Sequence, residues 1–155
     1  MNKNKIDNRM FIGMMIFIAV FAVGREIINL NKKPSEQQVI EFLAEAEEEI
    51  NNELNDEVIQ SVKVYIEDNT KVVMEYTVKI DYPKENVDNA ITLTMNDLEK
   101  QDFKGNIKKM NSFLKIKDLS LLYRYLNYDS SLIFELEYNK DGFKGYKVGE
   151  NYLNN

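Results

Sequence analysis

The chain has 155 residues, of which 44% are hydrophobic and 30% charged, and a formal net charge of −6. That length suits one domain with appendages, and the balance of apolar and charged residues argues against global disorder. There is no cysteine and no histidine, which removes disulfides, thiol nucleophiles, histidine-based triads and zinc sites built on thiolate or imidazole.

Only three of the 20 basic residues and one of the 26 acidic ones precede Gly24, so the remainder carries −8. A phosphate backbone calls for a basic stripe, and none is present, so nucleic acid is not an expected partner. General acid–base chemistry would fall to carboxylates, lysines or tyrosines. These are spread along the whole chain, mark no catalytic group, and imply no cofactor and no metal.

Residues 1–33 read as a signal-anchor and tether. Met10 to Gly24 is a run of 15 residues without charge, preceded by Lys3, Lys5 and Arg9, the layout of a positive n-region and an apolar h-region. Fifteen helical residues reach only about 22 Å, short of a hydrocarbon core of about 30 Å. Continuing through Ile27, Ile28 and Leu30 gives about 31 Å, with Arg25 and Glu26 near the boundary, where long charged side chains snorkel. The expected location is the cell membrane, single-pass, with the N-terminus inside and the domain outside. Ala22-Val23-Gly24 also offers small residues for cleavage before Arg25, so secretion is the alternative. A soluble core helix is a third reading, disfavoured because the segment is apolar on every side.

Residues 34–138 are expected to form the folded domain. Ser35-Glu36-Gln37-Gln38 is a capping box opening a helix, and Val39, Leu43, Ala46, Ile50 and Leu54 make its apolar stripe. The remaining faces carry seven glutamates and no lysine or arginine, a solvated face or a dock for a basic partner. Val58 to Ile66 and Val72 to Ile80 then alternate as strands. A three-residue loop with Asn69 left-handed would pair Val64 with Val72 and Val62 with Met74.

Pro83 precedes Val87, Ile91, Met95 and Leu98, and then Phe103, Ile107, Met110 and Leu114, at helical spacing. This reads as one helix weakened at Gly105, or as two. Strands are expected over 119–126 and 132–138. The tail, 139–155, could add a strand through Phe143 to Val148.

The order is αββαββ. A shift of 60 residues lays "YIEDNTKVVME" (65–75) over "YLNYDSSLIFE" (125–135) without a gap. The expected fold is therefore α+β, a duplicated αββ domain forming a four-stranded antiparallel sheet with two helices packed on one face. The repeat places Asp129 in the left-handed position and sets Leu122, Leu126, Leu132, Phe134 and Leu136 against the helices. Arg124 would fall at the sheet edge. The opposite face would then carry Tyr65, Val73, Leu121, Tyr123, Tyr125 and Ile133, the candidate partner-binding residues, since exposed aromatic clusters mark interfaces. The chain's own tail, or a second copy forming a homodimer through the open sheet face, would also cover them.

The segment "YLNYDSSLIFELEY" (125–138), with its tyrosine, asparagine and aspartate turn, resembles a group of uncharacterised exported or membrane-anchored domain-of-unknown-function proteins of Gram-positive bacteria. Here Ser130 stands where glycine is usual. The resemblance implies an envelope-exposed domain of two helix–hairpin units, carries over no catalytic residues, and covers roughly residues 35–138. By architecture alone the duplication is also similar to proteinaceous enzyme inhibitors made of tandem helix-plus-sheet repeats. The expectation is a non-enzymatic extracytoplasmic module that binds an unknown protein partner. The alternatives are an inhibitor or immunity protein that neutralises a toxin or hydrolase, and a carboxylate-based hydrolase with two carboxyls roughly 5 to 10 Å apart.

Overall fold

The computed structural model describes residues 34–54, 57–100 and 103–153. The expected signal-anchor and tether at 1–33 lies outside these residues. Among the described residues no helix is long and apolar enough to cross a membrane.

Helix α1 (Glu36–Glu53) starts where the sequence places it. Ser35 Oγ accepts from Gln38 N–H, and Gln38 Oε1 accepts from Ser35 N–H, a reciprocal cap of the kind that stabilises a helix start by about 1 kcal/mol. Leu43, Ala46 and Ile50 are buried, joined by Phe42, with Val39 and Leu54 packed at the margin. Strands β1 (Ile59–Glu67) and β2 (Lys71–Val78) follow as an antiparallel hairpin. Asn69 is left-handed as expected, and so is Asp68. The loop is Asp68–Thr70, so Val64 pairs with Met74 and Val62 with Tyr76. This register is two residues from the expected one. Because side chains alternate with period two, the slip leaves both apolar sets on the same face.

After Pro83 and a short 3-10 turn (Lys84–Asn86), helices α2 (Val87–Lys100) and α3 (Phe103–Leu114) lead to β3 (Ser120–Leu126), β4 (Leu132–Asn139) and β5 (Gly142–Val148). Gly105, the expected weak point, lies inside α3.

The fold is α+β, but the sheet corrects the expected architecture. It has five strands in the order β1-β2-β3-β4-β5, and β2 and β3 are parallel. A parallel pair needs a crossover that returns the chain to the same end of the sheet, and α2 and α3 supply it. Buried residues of α1, α2 and α3, among them Ile50, Leu98 and Ile107, pack in the core cluster. The described part of the tail adds β5 beside β4.

The parallel pairing also corrects the phase of β3. Val72, Met74 and Tyr76 stand beside Leu121, Tyr123 and Tyr125, and directly paired residues share a face. Leu121, Tyr123 and Tyr125 are therefore on the helix side, in one core cluster with Ile50, Ile91, Leu98, Ile107, Phe134 and Leu136. Tyr76 stacks on Tyr125 at 4.8 Å between ring centroids, and Tyr125 stacks on Phe134 at 4.5 Å. Burial pushes the hydroxyl pKa values of Tyr76, Tyr123 and Tyr125 well above the ordinary value. Leu122, expected against the helices, instead lies with Val73 on the opposite face, and only Phe134 and Leu136 of the expected set are buried in the core cluster.

The 60-residue shift thus superimposes Tyr65 and Tyr125, which point to opposite sides of the sheet. The second turn departs from the repeat as well: Ser130, not Asp129, has positive φ (67°).

Candidate interaction surface

The face away from the helices is organised in rows that cross the strands. One row runs Lys63, Glu75, Arg124, Glu135, Lys147, each paired with the next across neighbouring strands. Its sign alternates at every step. The next row carries Tyr65, Val73, Leu122, Glu137 and Gly145, and beyond it lie Glu67, Lys71 and Ser120.

Arg124 is the hub, on the central strand and not at the edge where the repeat placed it. Its Nε donates to Glu135 Oε2 at 3.0 Å. Its Nη1 donates to Tyr65 Oη at 2.8 Å and to Glu67 Oε1 at 3.2 Å, and lies 3.8 Å from Glu75. Tyr65 Oη in turn donates to Glu75 Oε2 at 2.8 Å. Burial alone would lower the guanidinium pKa, but hydrogen bonds to Glu67 and Glu135 outweigh it and raise the value. Partial burial and the bond to Glu75 push the Tyr65 phenol up to about 12.

A second knot centres on Glu137, which accepts from Ser120 Oγ at 2.9 Å and pairs with Lys144 at 3.3 Å and Lys71 at 3.6 Å. Burial works against its charge, and these three partners outweigh burial, so its carboxyl is held below the ordinary value.

These networks flank Val73 and Leu122, which are buried on this face although no described helix covers it. Of the six candidate partner-binding residues, Tyr65 and Val73 do lie here, Tyr65 engaged with Arg124 and Val73 fully buried. Leu121, Tyr123, Tyr125 and Ile133 are core residues, at most 2% exposed. The sequence reading misplaced the three β3 residues, Leu121, Tyr123 and Tyr125, because β3, with the sequence SLLYRYL, is apolar on both sides and offers no alternation to set its phase. Among the described residues no group of acidic side chains is arranged to hold a metal ion.

The two edges of the sheet differ. At β1, helix α1 caps the outward backbone. Asn51 uses its whole amide: Oδ1 accepts from Val62 N–H at 2.9 Å, and Nδ2 donates to Val62 C=O at 2.7 Å. Glu47 Oε2 accepts from Val64 N–H at 2.8 Å. At β5, no described element pairs with the outer edge. Its side chains are sorted by face. Phe143 and Tyr146 pair with Tyr138 and Leu136 on the helix side, yet are 39% and 60% exposed. Lys147 pairs with Glu135 on the other side, and Lys144, the extra residue at a bulge, reaches Glu137. A shallow depression of about 270 Å³ lies against this edge, lined by Leu122, Glu135, Glu137 and residues 144–147.

The edge is held in place from its far end. Gly149 N–H donates to Ile133 C=O, and a side chain at Gly149 would collide with the Leu132 carbonyl. Asn127, buried, then ties three segments together. Its Oδ1 accepts from Tyr82 N–H, and its Nδ2 donates to Ser131 Oγ and to Tyr152 Oη.

Sequence reasoning placed Arg124 at the sheet edge without its partners, and passed over Asn51 and Asn127. A signal did exist for Arg124: one cation inside an apolar strand needs an ionic partner when buried. None existed for Asn51, which sits among exposed polar residues of α1. Comparison with protein families, with curated proteins and with solved structures finds no match to this chain.

Proposed function

We propose that the chain is a non-enzymatic protein-binding module, held at the outer face of the cell membrane by residues 1–33, and that it meets its partner along β5. The uncharged run from Met10 to Gly24, continued by Ile27, Ile28 and Leu30, supports the tether. The contact side rests on one observation: α1 side chains cap the β1 edge, while β5 presents its edge with two exposed aromatic residues beside it. An unpaired strand edge is a template for a further strand. Main-chain hydrogen bonds would supply affinity, and the two sorted faces would supply selectivity.

Two measurements test the reading. Fractionation with intact-mass determination should find a membrane-bound species that retains residues 1–24; a released species beginning at Arg25 overturns the tether. A photo-crosslinking residue placed at Tyr146 in intact cells should give protein adducts, and one placed at Gln60, exposed on β1, should not. Adducts at position 60 alone, or at neither position, overturn the β5 side as the contact surface.

A further inference from the structure

We infer that the β5 edge takes an extended peptide strand in which acidic and apolar residues alternate. This rests on the reading of β5 as the contact side and names the chemistry of what it contacts.

Three observations carry it. The first is the charge row. Lys63, Glu75, Arg124, Glu135 and Lys147 alternate in sign across all five strands. At β1 the row stops against an edge capped by α1. At β5 it stops on Lys147, an exposed cation on the last strand. A sixth strand would continue the row with a carboxylate, since opposite charges directly across neighbouring strands stabilise a pair and like charges destabilise it.

The second is the other face of the same strand. Phe143 and Tyr146 extend the helix-side core beyond its last covered position, so a strand beside them would bury apolar side chains on that side. Because successive residues of a strand point to opposite faces, both demands are met by one pattern: carboxylate, apolar, carboxylate, apolar.

The third excludes the simplest rival. Two copies joined edge to edge through β5 would bring Lys144 and Lys147 of each copy close to those of the other. Like charges across a pair disfavour that union. The same lysines that discourage a second copy attract an acidic strand.

The test uses the full chain in non-ionic detergent and two synthetic ten-residue probes, one alternating Glu and Val, the other alternating Lys and Val. The Glu–Val probe should bind, should slow amide exchange at β5 and not at β1, and should weaken about tenfold, roughly 1.4 kcal/mol, on raising the salt from about 0.01 M to about 1 M. Lys147→Glu should reverse the preference, so that the Lys–Val probe binds more tightly than the Glu–Val probe. This reversal is a gain that a misfolded variant could not show. The inference is overturned if neither probe binds, if protection appears elsewhere, if Lys147→Glu leaves the preference unchanged, or if the chain self-associates through β5. Adducts at position 146 together with failure of the Glu–Val probe would remove the acidic strand and leave the contact side standing.

Discussion

The outermost strands of the sheet, β1 and β5, meet the same physical problem and receive different treatment. Each is seven to nine residues long and carries a row of outward backbone groups. At β1 the solution is local in space though not in sequence. Asn51, eleven residues before Val62, presents an amide that copies a neighbouring backbone, and Glu47 takes the next N–H. At β5 the backbone edge is left to the outside, and charge and a bulge regulate what can approach it. A sheet that closes one edge with its own side chains and leaves the other without a described neighbour has an orientation, and the proposed partner would meet the second edge.

The comparison depends first on the phase of the sheet, and the largest effect tests that. Tyr125→Ala should cost about 3–5 kcal/mol in denaturant unfolding, as for a large aromatic removed from a packed core. Tyr65→Ala, on the open face, should cost far less. Near-equal losses would return Tyr125 to the surface. Tyr76→Phe removes a buried hydroxyl with no hydrogen-bond partner and should be neutral or slightly stabilising.

Next comes the charged roof that both edges share. Arg124→Leu leaves Glu67, Glu75 and Glu135 together without their cation. The cost should be about 2–3 kcal/mol, below the value for a fully buried pair because the groups are partly solvated. A variant as stable as the parent in low salt would show that the row is ornament, and the argument for its continuation beyond Lys147 would fall with it.

Asn51→Ala acts on the closed edge itself. It should cost about 1–2 kcal/mol through the two orphaned groups of Val62. It should also raise the tendency to self-associate, read by sedimentation, because an edge has been opened. Tyr146→Ser, on the other edge, should change stability by no more than about 0.5 kcal/mol while abolishing binding of the Glu–Val probe. A large stability loss from Tyr146→Ser would make β5 a structural edge and erase the difference.

The smallest effects lie at the extremes of pH. Glu137 has its carboxyl pKa lowered by Ser120, Lys144 and Lys71 against burial. Folding therefore favours the ionised form, and that stability is present above the unfolded value and lost as pH falls through the folded one. Tyr65 has its phenol raised to about 12. Its contribution is complete below the unfolded value of about 10 and is lost as pH rises toward 12. Glu137→Gln should flatten the acid limb of the stability profile, and Tyr65→Phe should reduce the alkaline slope by about one proton. Profiles unchanged by either substitution would show that these bonds do not persist in solution.

Much of the local structure was legible from sequence. The capping box at Ser35, the stripe of Leu43, Ala46 and Ile50, the left-handed turn at Asn69 and the strands themselves follow from hydrogen-bonding groups and hydrophobic period within short windows. The extra strand over 142–148 was legible in the same way. The candidate site was not. Its phase hangs on β3, a strand buried on both faces, where alternation vanishes and the apparent repeat misled: Tyr65 and Tyr125 align in sequence and face opposite ways.

The chain order of elements, their types and the acidic character of α1 were determined by the sequence itself, because each depends on neighbours within a turn or two. The parallel pairing of β2 with β3 was decided only by tertiary structure. That pairing reflects where α2 and α3 return the chain after crossing the sheet. From it follow the burial of Tyr123 and Tyr125, the joining of Lys63 to Lys147 in one row, and the position of β5 as the open edge. None of these leaves a local mark, since each is a contact between segments that meet only once the sheet has closed around its core.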